Sequence, residues 1–398
     1  MKHLIEKDKT FIWQTYKRNE LVLTKGKGQY VWDINGKKYL DFLAGISVTI
    51  LGHCNPRVIA AITKQVKLLG HTSNLYYTKP STALAELLIN NTVKKGYVFF
   101  SNSGAEANEC AIKAVRRYGA STGNKKRYEI ITFENSFHGR TIATISATGQ
   151  AKFRKNFGPM VAGFKYAKFN DIVSVKRLVN KKTVAVMIEA VQGEGGVHIA
   201  DPKFMSALVK LCKSHKILMI FDEVQCGLGR TGKFCGYQNY HGVKPDIITF
   251  AKGLANGLPI GATVVVPEVA KYMSYGDHGS TFGANPIISA AAVEVVKQLT
   301  PSVLSKVVAL GKYFKDKLNT LKFKYEGIKE IRGIGLMIGI DLKEPGGDVV
   351  KQCQKNGLLI NCTHNTVARF LPSYFITKTD IDRAVKIVDT ALDTVLKK

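Results

Sequence analysis

The chain reads as an α/β protein, a mostly parallel sheet covered by helices, with a smaller α+β unit at its far end. Three observations predict this. Short apolar runs recur through the middle of the chain, at residues 98–100, 130–133, 184–188, 217–221, 247–250 and 263–266. Helical patterning separates several of them, as in strand–helix–strand units. Polar clusters follow the runs directly, where ligands sit in such sheets.

Composition sets the bounds. With 398 residues, 45% of them hydrophobic, the chain can bury a large core and is expected to form more than one domain. The composition is neither disordered nor fibrous. The net charge of +28 comes from 58 Lys+Arg against 30 Asp+Glu. Lysine outnumbers arginine 46 to 12 and is scattered in pairs such as Lys37-Lys38 and Lys181-Lys182, unlike the clustered footprint of a nucleic-acid binder. The excess reads mainly as a compositional habit, with the remainder a field that draws anionic substrates or an acidic partner protein. Seven cysteines show neither a C-x-x-C pair nor zinc spacing, so we expect reduced thiols in a cytoplasmic protein and no metal. The opening MKHLIEKDKTF is not a signal peptide, and no stretch approaches the ~20 apolar residues of a membrane span.

In order along the chain, a polar helical segment leads to runs at 29–32 and 38–40 around Asn35-Gly36, a hairpin signal. Apolar residues at helical spacing follow at 58–69 and 81–88. After the six sheet runs come a helix with a basic face at 302–321 and a glycine-bearing run at 331–342. Shorter runs at 358–360 and 367–371 precede a final helix at 379–396. The expected division is 1–50 (helix and hairpin, joining the small domain), 51–298 (large domain) and 299–398 (C-terminal small domain).

The chemistry centres on DIITFAKG (246–253), an apolar run that ends on Lys252. An amine at such a site loses solvation of its charged form and becomes a nucleophile for carbonyl groups. Among 46 lysines this alone is weak, but the run at 217–221 ends on Asp222, Glu223, Val224 and Gln225. Adjacent strand ends would then offer one ligand an amine and a carboxylate. Ser103 and Glu106 have capping-box spacing around Gly104 and Ala105, so a helix opening there suits a phosphate, or is simply capped. Phe137 and Arg140 in SFHGRT could stack on a planar ring and grip a carboxylate. Glu189 and Glu194 form a carboxylate pair, yet no sugar platform accompanies them. The stretch GLGRTGK (227–233) has phosphate-loop spacing, but Phe234 stands where a magnesium-binding hydroxyl belongs and no strand leads into the glycines.

Taken together, SNSGAEANE (101–109), SFHGRT (136–141), EAVQGEGG (189–196), FDEVQCGLGRTG (221–232), FAKGLANGLPIGA (250–262) and HGSTFGANP (278–286) resemble, in order and spacing, the class III pyridoxal-phosphate aminotransferases. The likeness runs from about Val31 to the C-terminus. YLDFLAGISVTILGHCNP (39–56) and HTSNLYYTKPSTALAELL (71–88) look most like the branch acting on acetylornithine. The resemblance implies a fold type I transferase with a mostly parallel seven-stranded sheet and a small α+β domain from the two chain ends. It implies pyridoxal 5'-phosphate held covalently by Lys252, its ring nitrogen on Asp222, its hydroxyl near Gln225, and its ring between Val224 and Phe137. The phosphate would rest on Gly104 and Ala105, with Thr281 reaching in from the second subunit of a homodimer. Substrate would meet Ser280, Arg140 and Arg369, with Glu194 masking Arg369. The implied reaction moves the δ-amino group of N2-acetylornithine to 2-oxoglutarate. Other ω-amines stay open, including a lysine precursor on an acidic carrier protein. Three positions depart from the pattern: Thr49 where asparagine is usual, Ala284 where glycine is usual, and Ile46 where ornithine enzymes carry tyrosine.

Overall fold

The computed structural model describes residues 2–122 and 126–396. Its centre is a seven-stranded sheet: β1 (Tyr97–Ser101), β2 (Glu129–Phe133), β3 (Phe164–Ala167), β4 (Thr183–Ile188), β5 (Leu218–Asp222), β6 (Ile247–Phe250) and β7 (Gly261–Val265). Their spatial order is β1-β7-β6-β5-β4-β2-β3. Only β7 runs against its neighbours β6 and β1, the pairings among β2 to β6 being parallel. Every residue of β2, β4, β5, β6 and β7 is buried, because helices cover both faces; that is why these strands read as unbroken apolar runs rather than as alternation. Edge strand β3, FKYA, is mostly half-buried and carries a lysine, so no run marks it.

The chain ends build two further sheets. Tyr30–Asp33 and Lys38–Asp41 pair antiparallel as the Asn35-Gly36 signal predicts, and Leu23–Lys27 adds an unexpected third strand. Asp33 Oδ1 shapes the turn by accepting from the N–H groups of Asn35 and Lys37, both at 2.9 Å. Leu358–Leu359 pairs in parallel with Lys38–Asp41, so the C-terminal stretch completes the N-terminal sheet. The run at 331–342 is not one element: Ile328–Ile334 turns through Gly335 into Met337–Leu342. That hairpin continues through Val367–Phe370 to Asn361–Thr363. The helices Pro301–Lys324 and Lys378–Leu396 run past the predicted 302–321 and 379–396 by a few residues at most.

One loop departs from ordinary geometry. Ala44, Gly45, Ile46 and Ser47 all have positive φ (50°, 63°, 65° and 65°). For a β-branched residue such as Ile46 this is a strained conformation, worth about 1–3 kcal/mol. Asp41 Oδ1 ties the loop down by accepting from the N–H groups of Leu43 and Ala44, both at 2.9 Å. Ala284 also has a positive φ, 62°, which is the physical reason glycine suits that position.

Candidate active site

The carboxyl ends of β1, β2, β4, β5 and β6 open on a cavity of about 440 Å³. Strand β6 delivers Lys252 to it. The residue is deeply placed, and burial, the largest influence, holds its amine below the ordinary lysine value, with Arg369 adding to the depression. Its φ of 43° is left-handed, strain of the kind that gathers at functional sites.

Strand β5 delivers Asp222, which is 3% exposed. Its Oδ2 accepts from Asn108 Nδ2 and from His138 Nδ1, each at 2.8 Å, and its Oδ1 from Val224 N at 3.1 Å. Asn108 is held in that orientation because Thr249 donates to its Oδ1 at 2.7 Å. A carboxyl group with three fixed donors is a ready partner for a cationic ring nitrogen.

Ser103 caps the helix α1 (Gly104–Ser121), accepting from Glu106 N. The Glu106 carboxylate reaches back one residue further than a capping box requires, to Asn102 N at 2.8 Å. As the first helical residues, Gly104 and Ala105 have N–H groups with no intrahelical partner and point them, with the positive end of the helix dipole, towards anions. A Cβ on Gly104 would come within 2.9 Å of Val224 Cγ1, so only glycine lets the helix close on this wall.

Phe137, Val224, Gln225, Gly104, Ala105 and Arg140 all line the same cavity as Lys252 and Asp222. The Arg140 guanidinium is exposed and stacks 3.9 Å from the Phe153 ring centroid. Beyond Gln225 lies a buried polar group. Arg369 is fully buried, and its Nη1 donates to Glu194 Oε1 at 2.7 Å and to Gln225 Oε1 at 2.9 Å. Among the described residues its Nη2 has no hydrogen-bond partner. Burial alone would raise the Glu194 carboxyl, but Arg369 and Lys252 outweigh it and hold the group below the usual carboxylate range. Ser280 lies off the cavity, its Oγ accepting from Asn102 Nδ2 at 3.1 Å. Thr281 is exposed and does not line the cavity.

Sequence reasoning assigned no role to His138 or Asn108. A signal existed for Asn108, which stands four residues after Gly104 and so shares its helix face; His138 lay inside a quoted motif. Glu189, set aside with the carboxylate pair, lines the cavity and accepts from Phe137 N at 3.1 Å. Burial, then Asp222, pushes its carboxyl well above the ordinary range. In the phosphate-loop look-alike, only a one-turn 3-10 helix, Gly236–Asn239, follows the glycines and Lys233 is exposed, so it forms no phosphate cradle. Among the described residues no cluster suits a metal ion.

Residues 13–392 match the family model for aminotransferase class III. The chain is a class III aminotransferase. It is 49% identical to the acetylornithine aminotransferase of Methanocaldococcus jannaschii, covering 99% of this chain and 98% of that one. It is 47% identical to that of Caldanaerobacter subterraneus, covering 98% and 100%. Among solved structures it resembles an ornithine aminotransferase from Toxoplasma gondii, with a TM-score of 0.95, 33% identity, and coverage of 100% and 96%. It also resembles an N-acetylornithine aminotransferase from Stenotrophomonas maltophilia, with a TM-score of 0.85, 33% identity and 99% coverage of both chains. Class III aminotransferases use pyridoxal phosphate, and this cavity fits it: a buried amine of lowered basicity for the aldehyde, a triply bonded carboxylate for the ring nitrogen, and a glycine-opened helix terminus for the phosphate. The enzyme is therefore a pyridoxal-phosphate-dependent transaminase of an amino donor and a keto acid.

Proposed function

We propose that the enzyme transfers the δ-amino group of N2-acetyl-L-ornithine to 2-oxoglutarate, giving N-acetyl-L-glutamate 5-semialdehyde and L-glutamate, a step of arginine synthesis. The observation that carries this reading is the Arg369–Glu194 pair with its unused Arg369 Nη2. An ω-amine donor has no carboxylate beside its reacting carbon, whereas the α-keto acid has one. A masked arginine serves both: Glu194 covers it for the donor and yields it to the acid. The names of the relatives that share 40–49% identity across nearly the whole chain support this choice of donor, and Ile46 in place of tyrosine weighs against free ornithine.

Bound pyridoxal phosphate supplies the aldehyde that condenses with amines and the ring that takes up the electrons of the broken C–H bond. The chain does the rest. Lys252 Nζ holds the cofactor between turnovers, then takes a proton from the substrate carbon and returns it across the site, work typically worth about 10² to 10⁴-fold. Asp222 would keep the ring nitrogen protonated, Gln225 would reach the ring hydroxyl, and Val224 and Phe137 would flank the ring. Gly104 and Ala105 hold the phosphate. Arg140 takes the distal carboxylate, and Ser280, which lies off the cavity of its own chain, meets the substrate from the second subunit beside Thr281.

Thr281 enters this scheme from a second subunit. In support, Leu75, Tyr76, Tyr77, Tyr275 and Phe282 are all more than half exposed, an apolar face that a second copy would cover. No single described helix is long and apolar enough to cross a membrane, and all seven cysteines are free, which supports a cytoplasmic setting.

Glutamate formation from 2-oxoglutarate, measured with N2-acetylornithine, succinylornithine, ornithine and 4-aminobutyrate in parallel, tests the reading. The highest kcat/KM is expected with acetylornithine, and a preference for any other amine would overturn the choice of donor. The +28 charge favours one rival, a donor carried on an acidic protein. Turnover that collapses with salt for the carrier-bound amine alone would establish that rival.

A further inference from the structure

The loop at 227–232 holds the charge of the molecule hardest to account for. Arg230 is fully buried, and among the described residues no carboxylate pairs with it. Two of its nitrogens meet neutral oxygens instead, and among the described residues Nη2 has no hydrogen-bond partner. Nε donates to Ser47 Oγ at 2.9 Å, and Nη1 to the carbonyls of Leu336 at 3.0 Å and Pro372 at 2.6 Å. The guanidinium lies 4.8 Å from the Tyr374 ring centroid. Three distant stretches thus meet on one side chain: the left-handed turn at 44–47, the hairpin tip at 335–336, and the segment that leaves the Arg369 strand.

The contact is reciprocal and tight. Leu336 N donates to Arg230 O at 3.0 Å, and a Cβ on Gly335 would stand 2.4 Å from that same oxygen. Tyr374 OH donates to Leu228 O at 2.9 Å, and Tyr374 N to Ile50 O at 2.8 Å. An apolar side chain could glue these segments without the desolvation of a buried cation. A guanidinium adds direction, because its planar fork fixes where each acceptor stands.

Both ends of that fork lead to the Gln225–Arg369–Glu194 cluster beside the cavity. Ser47 Oγ, which accepts from Arg230, donates to Gln225 O at 3.3 Å. The Gln225 side chain accepts from Arg369 Nη1 and donates to Glu194 Oε1 at 3.3 Å. Pro372, on the other arm, follows Arg369 by three residues. Resting on the Arg369 reading above, we propose that Arg230 is a positioning residue which, through Ser47 and Pro372, sets the separation of Gln225 from Arg369 and so tunes the site for the carboxylate of the amino acceptor. It touches neither substrate nor cofactor.

The test compares the cofactor-loaded parent with R369K, R230K and S47A. Glutarate affinity is measured by calorimetry, KM separately for 2-oxoglutarate and for the amino donor, and the unfolding midpoint alongside. In R230K the charge stays but the fork is lost, and the glutarate Kd and the 2-oxoglutarate KM are expected to rise about tenfold. S47A removes one hydroxyl and is expected to raise both about threefold. The donor KM should stay within about twofold of the parent in both variants. Should R230K fail to fold, S47A decides alone. Unchanged glutarate affinity, or donor and acceptor constants worsening together in step with the unfolding midpoint, would make Arg230 a stability residue and overturn the proposal. If R369K binds glutarate as tightly as the parent, the Arg369 reading itself falls, and this inference with it.

Discussion

Two carboxylates, Asp222 on the cavity wall and Glu194 beyond Gln225, show how differently one fold can use the same group. Asp222 is 3% exposed and its three hydrogen bonds, from Asn108, His138 and Val224, leave nothing to rearrange. The Glu194 side chain is 26% exposed and pairs with an arginine that keeps one nitrogen unused. On the function proposed above, the first end is preorganised for a partner that stays, whereas the second is set to exchange one partner for another. A transaminase needs both, since the cofactor is constant while donor and acceptor alternate.

The largest way to break this picture is at Lys252. Lys252→Ala is expected to abolish the visible band of the lysine-bound cofactor and to lower turnover by about 10⁴-fold; a variant that keeps the band would refute the assignment. At the fixed end, Asp222→Asn preserves shape but not charge. We expect kcat to fall by roughly 10²-fold or more, and a loss under tenfold would mean that the bonded cluster does not act on the ring nitrogen.

At the exchangeable end, Glu194→Gln weakens the mask. The expected outcome is about a tenfold relative gain for α-amino donors over acetylornithine, read from paired kcat/KM values, and an unchanged preference would count against the mask. The pH behaviour follows from the depressed Glu194 carboxyl. Its pairing contributes stability above the ordinary carboxylate range and loses it as pH falls through the lowered folded value.

The smallest effect concerns Glu223, beside Asp222. Its oxygens accept from Gly236 N at 2.7 Å and Tyr237 N at 2.8 Å, and burial pushes its carboxyl up to about 7. Between the ordinary value of 4.5 and about 7 the folded chain keeps a proton that the unfolded chain releases. Stability therefore falls as pH rises across that window. In Glu223→Gln that slope should flatten, changing the unfolding midpoint at pH 8 relative to pH 5 by about 2 °C. An identical slope in parent and variant would show that Glu223 is ionised throughout.

The fixed end was the more legible in sequence, for a physical reason. Lys252 and Asp222 each terminate a buried run, so the pattern that reveals the strand also reveals the residue at its mouth. Glu194, Arg369 and Thr281 stand on turns and on a short strand of the C-terminal sheet, where no periodicity marks a direction; Glu194 stood out only as half of a carboxylate pair, and the roles of all three came from family resemblance. His138 and Asn108 went unassigned because their part is to hold another side chain, which depends on a contact between distant stretches. Strand β3 escaped because an edge strand needs no continuous apolar run, and the hairpin at Gly335 because the inner end of Ile328–Ile334 and the buried Met337–Leu342, joined by a short turn, read as one run.

The most direct measurement is the absorption spectrum of the cofactor-loaded protein, recorded first with N2-acetylornithine and then with 2-oxoglutarate added. The account predicts a visible band that bleaches with the donor and returns with the acceptor. A band untouched by acetylornithine would contradict the proposed donor, and the absence of any band after loading with pyridoxal phosphate would contradict the role given to Lys252.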